Sequence, residues 1–293
     1  MVDVFTTTPL AGNPLAAVFD TVGLSTERMQ AIAREFNLSE TTFIQRRPAE
    51  IETAEGVRVR IFTPNEELPF AGHPTLGTAS VLKLHAPETM RHDTVTLALN
   101  VGPIPVRFSG DDLFGEMTQR DPEFGGELDA AGIAPLAGLA PDDFDPALPP
   151  QVVSTGNAFA IVTLRSVESL ARLKVNQERA TPWLRERGAR WFYALAPVAN
   201  PESRSAQPRE YRARMQFYRG EDPATGSAAG PAIAYLVARG AVPSGERVHL
   251  RQGLEMGRPS DLFLSAQKHS GKVTDVRVAG STVAVAKGVL LSA

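Results

Sequence analysis

The chain has 293 residues, a formal net charge of −3, 43% hydrophobic and 22% charged residues, and no cysteine. That length can bury a large core as one wide domain or two ordinary ones, and two is the expectation. The near-neutral balance, without a basic patch or a block of like charge, argues against a nucleic-acid partner. The absence of cysteine removes disulfides, thiolate metal sites and every thiol mechanism.

The N-terminal stretch lacks a basic region followed by an apolar core, and no apolar run is long enough to span a bilayer as a helix. A cytoplasmic protein with no membrane partner is therefore expected. In chain order, Val2–Thr6 alternates like a half-buried strand. A turn at Leu10-Ala11-Gly12-Asn13-Pro14 then leads into a second strand over Leu15–Phe19. Ser25 is placed to cap a helix whose Met29, Ile32, Ala33 and Phe36 share one face, and Asn37 can close it in the left-handed conformation. The chain leaves through Leu38-Ser39-Glu40 into a strand at Thr41–Ile44, so Glu40 sits at a helix-to-strand corner. Val57–Phe62 is a further strand and Thr63–Pro69 a polar connection. Pro74–Leu84 is a helix of small residues, its proline in the first turn where no N–H is needed.

Thr94–Leu99 and Pro105–Phe108 continue as strands, after which Asp121–Pro150 is rich in Pro, Gly and Asp around a modest helical stretch. The domain boundary is placed at its start, giving one half over 1–116, completed by 276–293, and a second over 117–275. Features then recur in order. A Gly156-Asn157 turn stands beside the apolar run Phe159–Leu164, a helix and strands follow, and a second small-residue helix starts at Gly226. Gly12 precedes Gly72 by 60 residues and Gly156 precedes Gly226 by 70, which suggests an internal duplication. Residues 197–208 form a polar loop, and Gly271–Leu291 is expected to close the chain as two strands.

Two segments, Phe70-Ala71-Gly72-His73-Pro74 and Asp222-Pro223-Ala224-Thr225-Gly226-Ser227, each end a polar turn and open an apolar helix. A helix starting on Gly offers N–H groups and the positive end of its dipole to an anion, up to about 2 kcal/mol in a partly buried site. Nucleotide-binding glycine motifs, H-E-x-x-H and G-x-S-x-G are all missing, so neither a cofactor nor a metal is expected. What remains is Glu40, His73, Asp222 and Ser227, a set able to move a proton and stabilise the charge that develops on a carboxylate substrate. Singly, each has an ordinary structural explanation. Glu40 fits a solvated corner, His73 and Ser227 fit first-turn caps, Asp222 fits a turn opener, and Asn13 and Asn157 fit turn formers.

Together these segments resemble the phenazine-biosynthesis isomerase-like (PhzF-like) family of the diaminopimelate epimerase superfamily. The likeness runs through Val2–Thr6, Gly12-Asn13-Pro14, Asn37–Thr41, Pro69–Pro74, Gly156-Asn157, Arg212–Met215, Asp222–Ser227 and Gln252–Ser260. It implies an α+β fold of two pseudo-symmetric halves, each a curved, mostly antiparallel sheet or barrel wrapped around a central helix, and a homodimer. It implies Glu40 as the acid/base, its pKa raised by burial, with His73 and Asp222 assisting. Asn13, Gly72, Gly226 and Ser227 would hold a small carboxylate-bearing substrate. Related epimerases and racemases carry two Cys where this chain has Ala71 and Thr225, which disfavours their two-thiol chemistry. The chain starts a few residues later than the family pattern. A cofactor-independent isomerase is thus expected. A non-catalytic metabolite- or protein-binding member of the fold is the alternative, and a hydrolase using Ser227 a weaker one.

Overall fold

The computed structural model describes residues 1–110, 112–198, 209–217 and 220–291. Residues 199–208 of the expected polar loop lie outside the described residues. The chain divides into two compact units, one formed by Met1–Met117 with Gly280–Ala293 and the other by Thr118–Ala279.

In the first unit, β1 (Val2–Val4) pairs antiparallel with β2 (Asn13–Val18), and α1 (Thr26–Phe36) leads to β3 (Glu40–Gln45), which lies parallel to β2. α2 (Ala49–Glu55) precedes β4 (Val57–Phe62), antiparallel to β3, and the short β5 (Glu67–Leu68). After α3 (Gly72–His85), β6 (Thr94–Leu99) lies parallel to β4, and β7 (Gly102–Phe108) and β8 (Phe114–Thr118) follow antiparallel. The chain's last strand borders β8 and pairs with β1, so eight strands close a barrel. α3 is buried on every side from Gly72 to Leu82, as an apolar helix enclosed by strands must be. α1 instead is amphipathic. Its Met29, Ile32 and Ala33 pack with Phe43 and Phe62, whose rings meet edge to face at 5.4 Å. Ser25 caps it and Asn37, at φ 51°, ends it.

The second unit begins with β9 (Glu123–Glu127), α4 (Ala130–Ala137), β10 (Gln151–Ser154) and β11 (Ala158–Thr163). α5 (Val167–Ala171), α6 (Gln177–Arg185), β12 (Trp191–Pro197) and β13 (Glu210–Arg214) follow, then β14 (Gln216–Phe217) and β15 (Gly220–Glu221). α7 (Gly226–Ala238), β16 (Val248–Gln252), β17 (Ser260–His269) and β18 (Lys272–Ala284) complete the chain. α7 is buried almost throughout, while α4, α5 and α6 cover a separate core against β11 and β12.

The internal duplication is visible in the pairing. β1, β2, β3, β4, β6, β7 and β8 pair successively antiparallel, parallel, antiparallel, parallel, antiparallel and antiparallel. β10, β11, β12, β13, β16, β17 and β18 repeat that series, and each central helix enters at the same step. The C-terminal stretch differs from expectation. β18 is one strand of 13 residues, and no further strand follows it among the described residues. α2, β8 and β9 were not evident in the sequence. Among the described residues no helix is long and apolar enough to cross a membrane.

Candidate functional site

In the first unit three of the expected residues converge. Asn13 opens β2, Glu40 opens β3 immediately after the Asn37 turn, and His73 is the second residue of α3. The carboxamide nitrogen of Asn13 is 3.1 Å from His73 Nδ1, and His73 Nε2 is 3.5 Å from Glu40 Oε2. The side chains of His73 and Glu40 are only 4% and 15% exposed. Burial pulls the His73 pKa down to about 3, opposed by the Pro14 backbone, so the imidazole is neutral at physiological pH. No side chain caps α3, whose N-cap is Ala71 in extended conformation, and Pro74 has no N–H to satisfy. The N–H groups of Gly72 and His73 thus mark a positive helix end beside the Glu40–His73 pair.

In the second unit Asp222, buried, closes the β14–β15 hairpin, its N–H donating to the Met215 carbonyl at 2.9 Å. The Thr225 hydroxyl donates to Asp222 Oδ2 at 2.6 Å. Gln252, at the end of β16, donates from Nε2 to the Asp222 carbonyl (2.8 Å) and to Thr225 Oγ1 (3.0 Å). Its Oε1 accepts from Thr225 N–H (3.2 Å) and from Tyr193 O–H (2.9 Å). Gly226 begins α7, again without a side-chain cap, and Ser227 follows it half-buried.

Two glycines make this arrangement possible. Gly253 lies at φ +78°, and a Cβ there would stand 2.3 Å from the Arg258 carbonyl and 2.6 Å from that of Pro223. At Gly230 a Cβ would meet Gln119 Oε1 at 1.9 Å, and Gln119 is the side chain that holds the Gly226 carbonyl at 2.8 Å. Arg214 anchors the hairpin from behind. It forks onto Glu221 at 2.8 and 2.7 Å and donates to the carbonyls of Leu170, Ala171 and Leu173.

Each unit thus presents a glycine helix start without a side-chain cap and a carboxylate, buried at Asp222 and half-buried at Glu40, but the two are not chemically alike. Glu40 pairs in register with Leu15, two residues after Asn13, and the corresponding partner of Phe159, two residues after Asn157, is Trp191. The glutamate therefore occurs in one half only. Sequence reasoning gave no role to Gln252, Tyr193 or Gln119. Gln252 did stand in a conspicuous segment, Gln252–Ser260, and its glycine turn was the available signal.

The duplicated α+β architecture, strands wrapped about a central helix in each half, is the diaminopimelate epimerase-like fold. A protein from Agrobacterium radiobacter described as a "probable proline racemase" has it too, with a TM-score of 0.57 at 13% identity over 93% of this chain and 84% of its own, which concerns the fold alone. The family model described as "Phenazine biosynthesis-like protein" matches residues 2–288, and the chain belongs to that family, the PhzF family. It is 35% identical to a trans-2,3-dihydro-3-hydroxyanthranilate isomerase of Pseudomonas aeruginosa, over 98% of this chain and 97% of the relative. A predicted epimerase of known structure from Pseudomonas aeruginosa is 34% identical, with a TM-score of 0.80 over 100% of this chain and 98% of its own.

Proposed function

We propose that the protein is an isomerase that moves a proton, and with it a double bond, within a small carboxylate-bearing metabolite, using Glu40 as the acid/base. The observation that carries this is the Glu40–His73 pair, a half-buried carboxylate 3.5 Å from a neutral imidazole at a helix start without a side-chain cap. The Glu40 carboxylate takes a proton from a substrate carbon, and the electron pair of that C–H bond passes into the conjugated system. The negative charge moves toward the substrate's carboxyl end, where the N–H groups at the start of α3, that of Gly72 among them, stabilise it. Glu40 then returns the proton at a different carbon. Nothing is oxidised or reduced, and the carboxylate supplies the transfer itself, so this function calls for no metal or organic cofactor.

The other residues serve that step. Asn13 fixes the His73 ring through Nδ1, so Nε2 stands on the side of the Glu40 carboxylate. Asp222 is proposed to assist in binding and proton transfer. A cytoplasmic homodimer is the proposed working form.

The compound named in the relative, trans-2,3-dihydro-3-hydroxyanthranilate, is the first probe. In D₂O the wild-type chain should convert it with deuterium entering one carbon of the product. Tight binding with neither conversion nor exchange, across this and other unsaturated carboxylates, would replace the isomerase with a binding protein.

A further inference from the structure

The carboxamide of Gln252 has a determined orientation. Its oxygen faces a backbone N–H, that of Thr225, which can only donate, and its nitrogen faces a backbone carbonyl, that of Asp222, which can only accept. Exchanging the two would break both bonds. Because Nε2 also donates to Thr225 Oγ1 at 3.0 Å, the threonine hydroxyl is an acceptor on that side. Its single proton then goes to Asp222 Oδ2 at 2.6 Å, since the nearby Met215 sulfur is a much weaker acceptor.

Thr225 is also the N-cap residue of α7, where a threonine hydroxyl ordinarily accepts a bond from the first helical turn. It makes no such bond here. The helix forgoes its cap, and the hydroxyl is committed to the aspartate.

We propose that Thr225 is a positioning residue whose hydroxyl, polarised by Gln252 and Tyr193, holds the Asp222 carboxylate ionised and in one rotamer. The chain of donors runs one way, from Tyr193 O–H to Gln252, from Gln252 N–H to Thr225, and from Thr225 O–H to Asp222. Tyr193, on β12, is a titratable group that interacts with Asp222. Burial and that aspartate push its phenol well above the usual value, so it stays a donor across the working range. This assignment deepens the isomerase function and rests on it for its purpose, while its test needs no substrate.

The test follows the Asp222 side-chain carboxyl carbon by NMR against pH, in full-length chain labelled with ¹³C-aspartate, the signal being assigned with Asp222→Asn. Thr225→Val, which keeps the shape and removes the hydroxyl, should raise the titration midpoint by about one pH unit or more. Thr225→Ser, which restores it, should return the midpoint close to wild type. If circular dichroism shows the valine variant unfolded, Thr225→Ala takes its place with the same expectation. A midpoint unchanged in the folded variant lacking the hydroxyl would overturn the proposal, whether or not the wild-type chain proves to be an isomerase.

Discussion

His73 sets its Nε2 against Oε2 of Glu40 at 3.5 Å inside the first unit, with the imidazole buried and uncharged. The nearby carboxylate favours the charged ring, but a ring only 4% exposed loses too much hydration on charging for that attraction to prevail. Its pKa near 3 against an ordinary 6.5 means that the unfolded chain binds one more proton than the folded chain between those values. Stability from this group is fully present above pH 6.5 and falls as pH drops toward 3, by about 1.4 kcal/mol per unit. Nitrogen-detected NMR should show a neutral His73 ring from pH 5 to 8. Urea unfolding of His73→Gln should lack this part of the pH slope. A ring that titrates near 6.5 would contradict the account.

Asn13 is fully buried, and its bond to Nδ1 fixes which face of the imidazole meets the carboxylate. Asn13→Ala leaves a buried ring nitrogen without its partner, at a cost of about 1–3 kcal/mol. Urea unfolding measures the loss. Turnover should fall more than the stability loss explains, because the ring is no longer held against Glu40.

Gly253→Ala places a Cβ against two backbone carbonyls that cannot move aside independently. With the left-handed conformation adding about 1–2 kcal/mol, the total destabilisation should exceed about 3 kcal/mol. Chemical denaturation reads this directly. A change below about 0.5 kcal/mol, the size of an ordinary surface substitution, would mean that the close approach of Pro223 and Arg258 is not required.

Arg214 is buried, and its pKa is raised chiefly by its hydrogen bonds to Glu221. Lysine keeps the charge but cannot fork onto a carboxylate while also serving three carbonyls. Arg214→Lys should cost about 3 kcal/mol in urea unfolding, close to the loss expected when a buried pair is broken.

Legibility in the sequence followed the strength of local rules. α1 was readable from end to end because Ser25, the Met29–Phe36 face and Asn37 all point to one helix, and the structure uses each of them. α2 was not, since it buries none of its residues and has no side-chain cap. It is held by Arg46 to Glu52 and Arg47 to Glu55, pairs formed only once the strand before it is in place. β9 is exposed at every position and carries two glycines, so it lacks the alternation that marks a strand. β18 runs through Ala279-Gly280, a pair that resembles a break but is buried mid-strand. Of the candidate site, the residue types were legible and the pairings were not. Nothing local ties Glu40 to His73, or Gln252 to Thr225, because those contacts depend on which strands become neighbours.

The central claim is that Glu40 carries the proton, and Glu40→Gln tests it most directly because the amide keeps the shape and removes the base. The measurement is deuterium incorporation from D₂O into trans-2,3-dihydro-3-hydroxyanthranilate and its product, beside the wild-type chain and with the fold checked by circular dichroism. The account predicts that conversion and incorporation fall together, by at least about 10²-fold. Incorporation by the folded variant at the wild-type rate would contradict it.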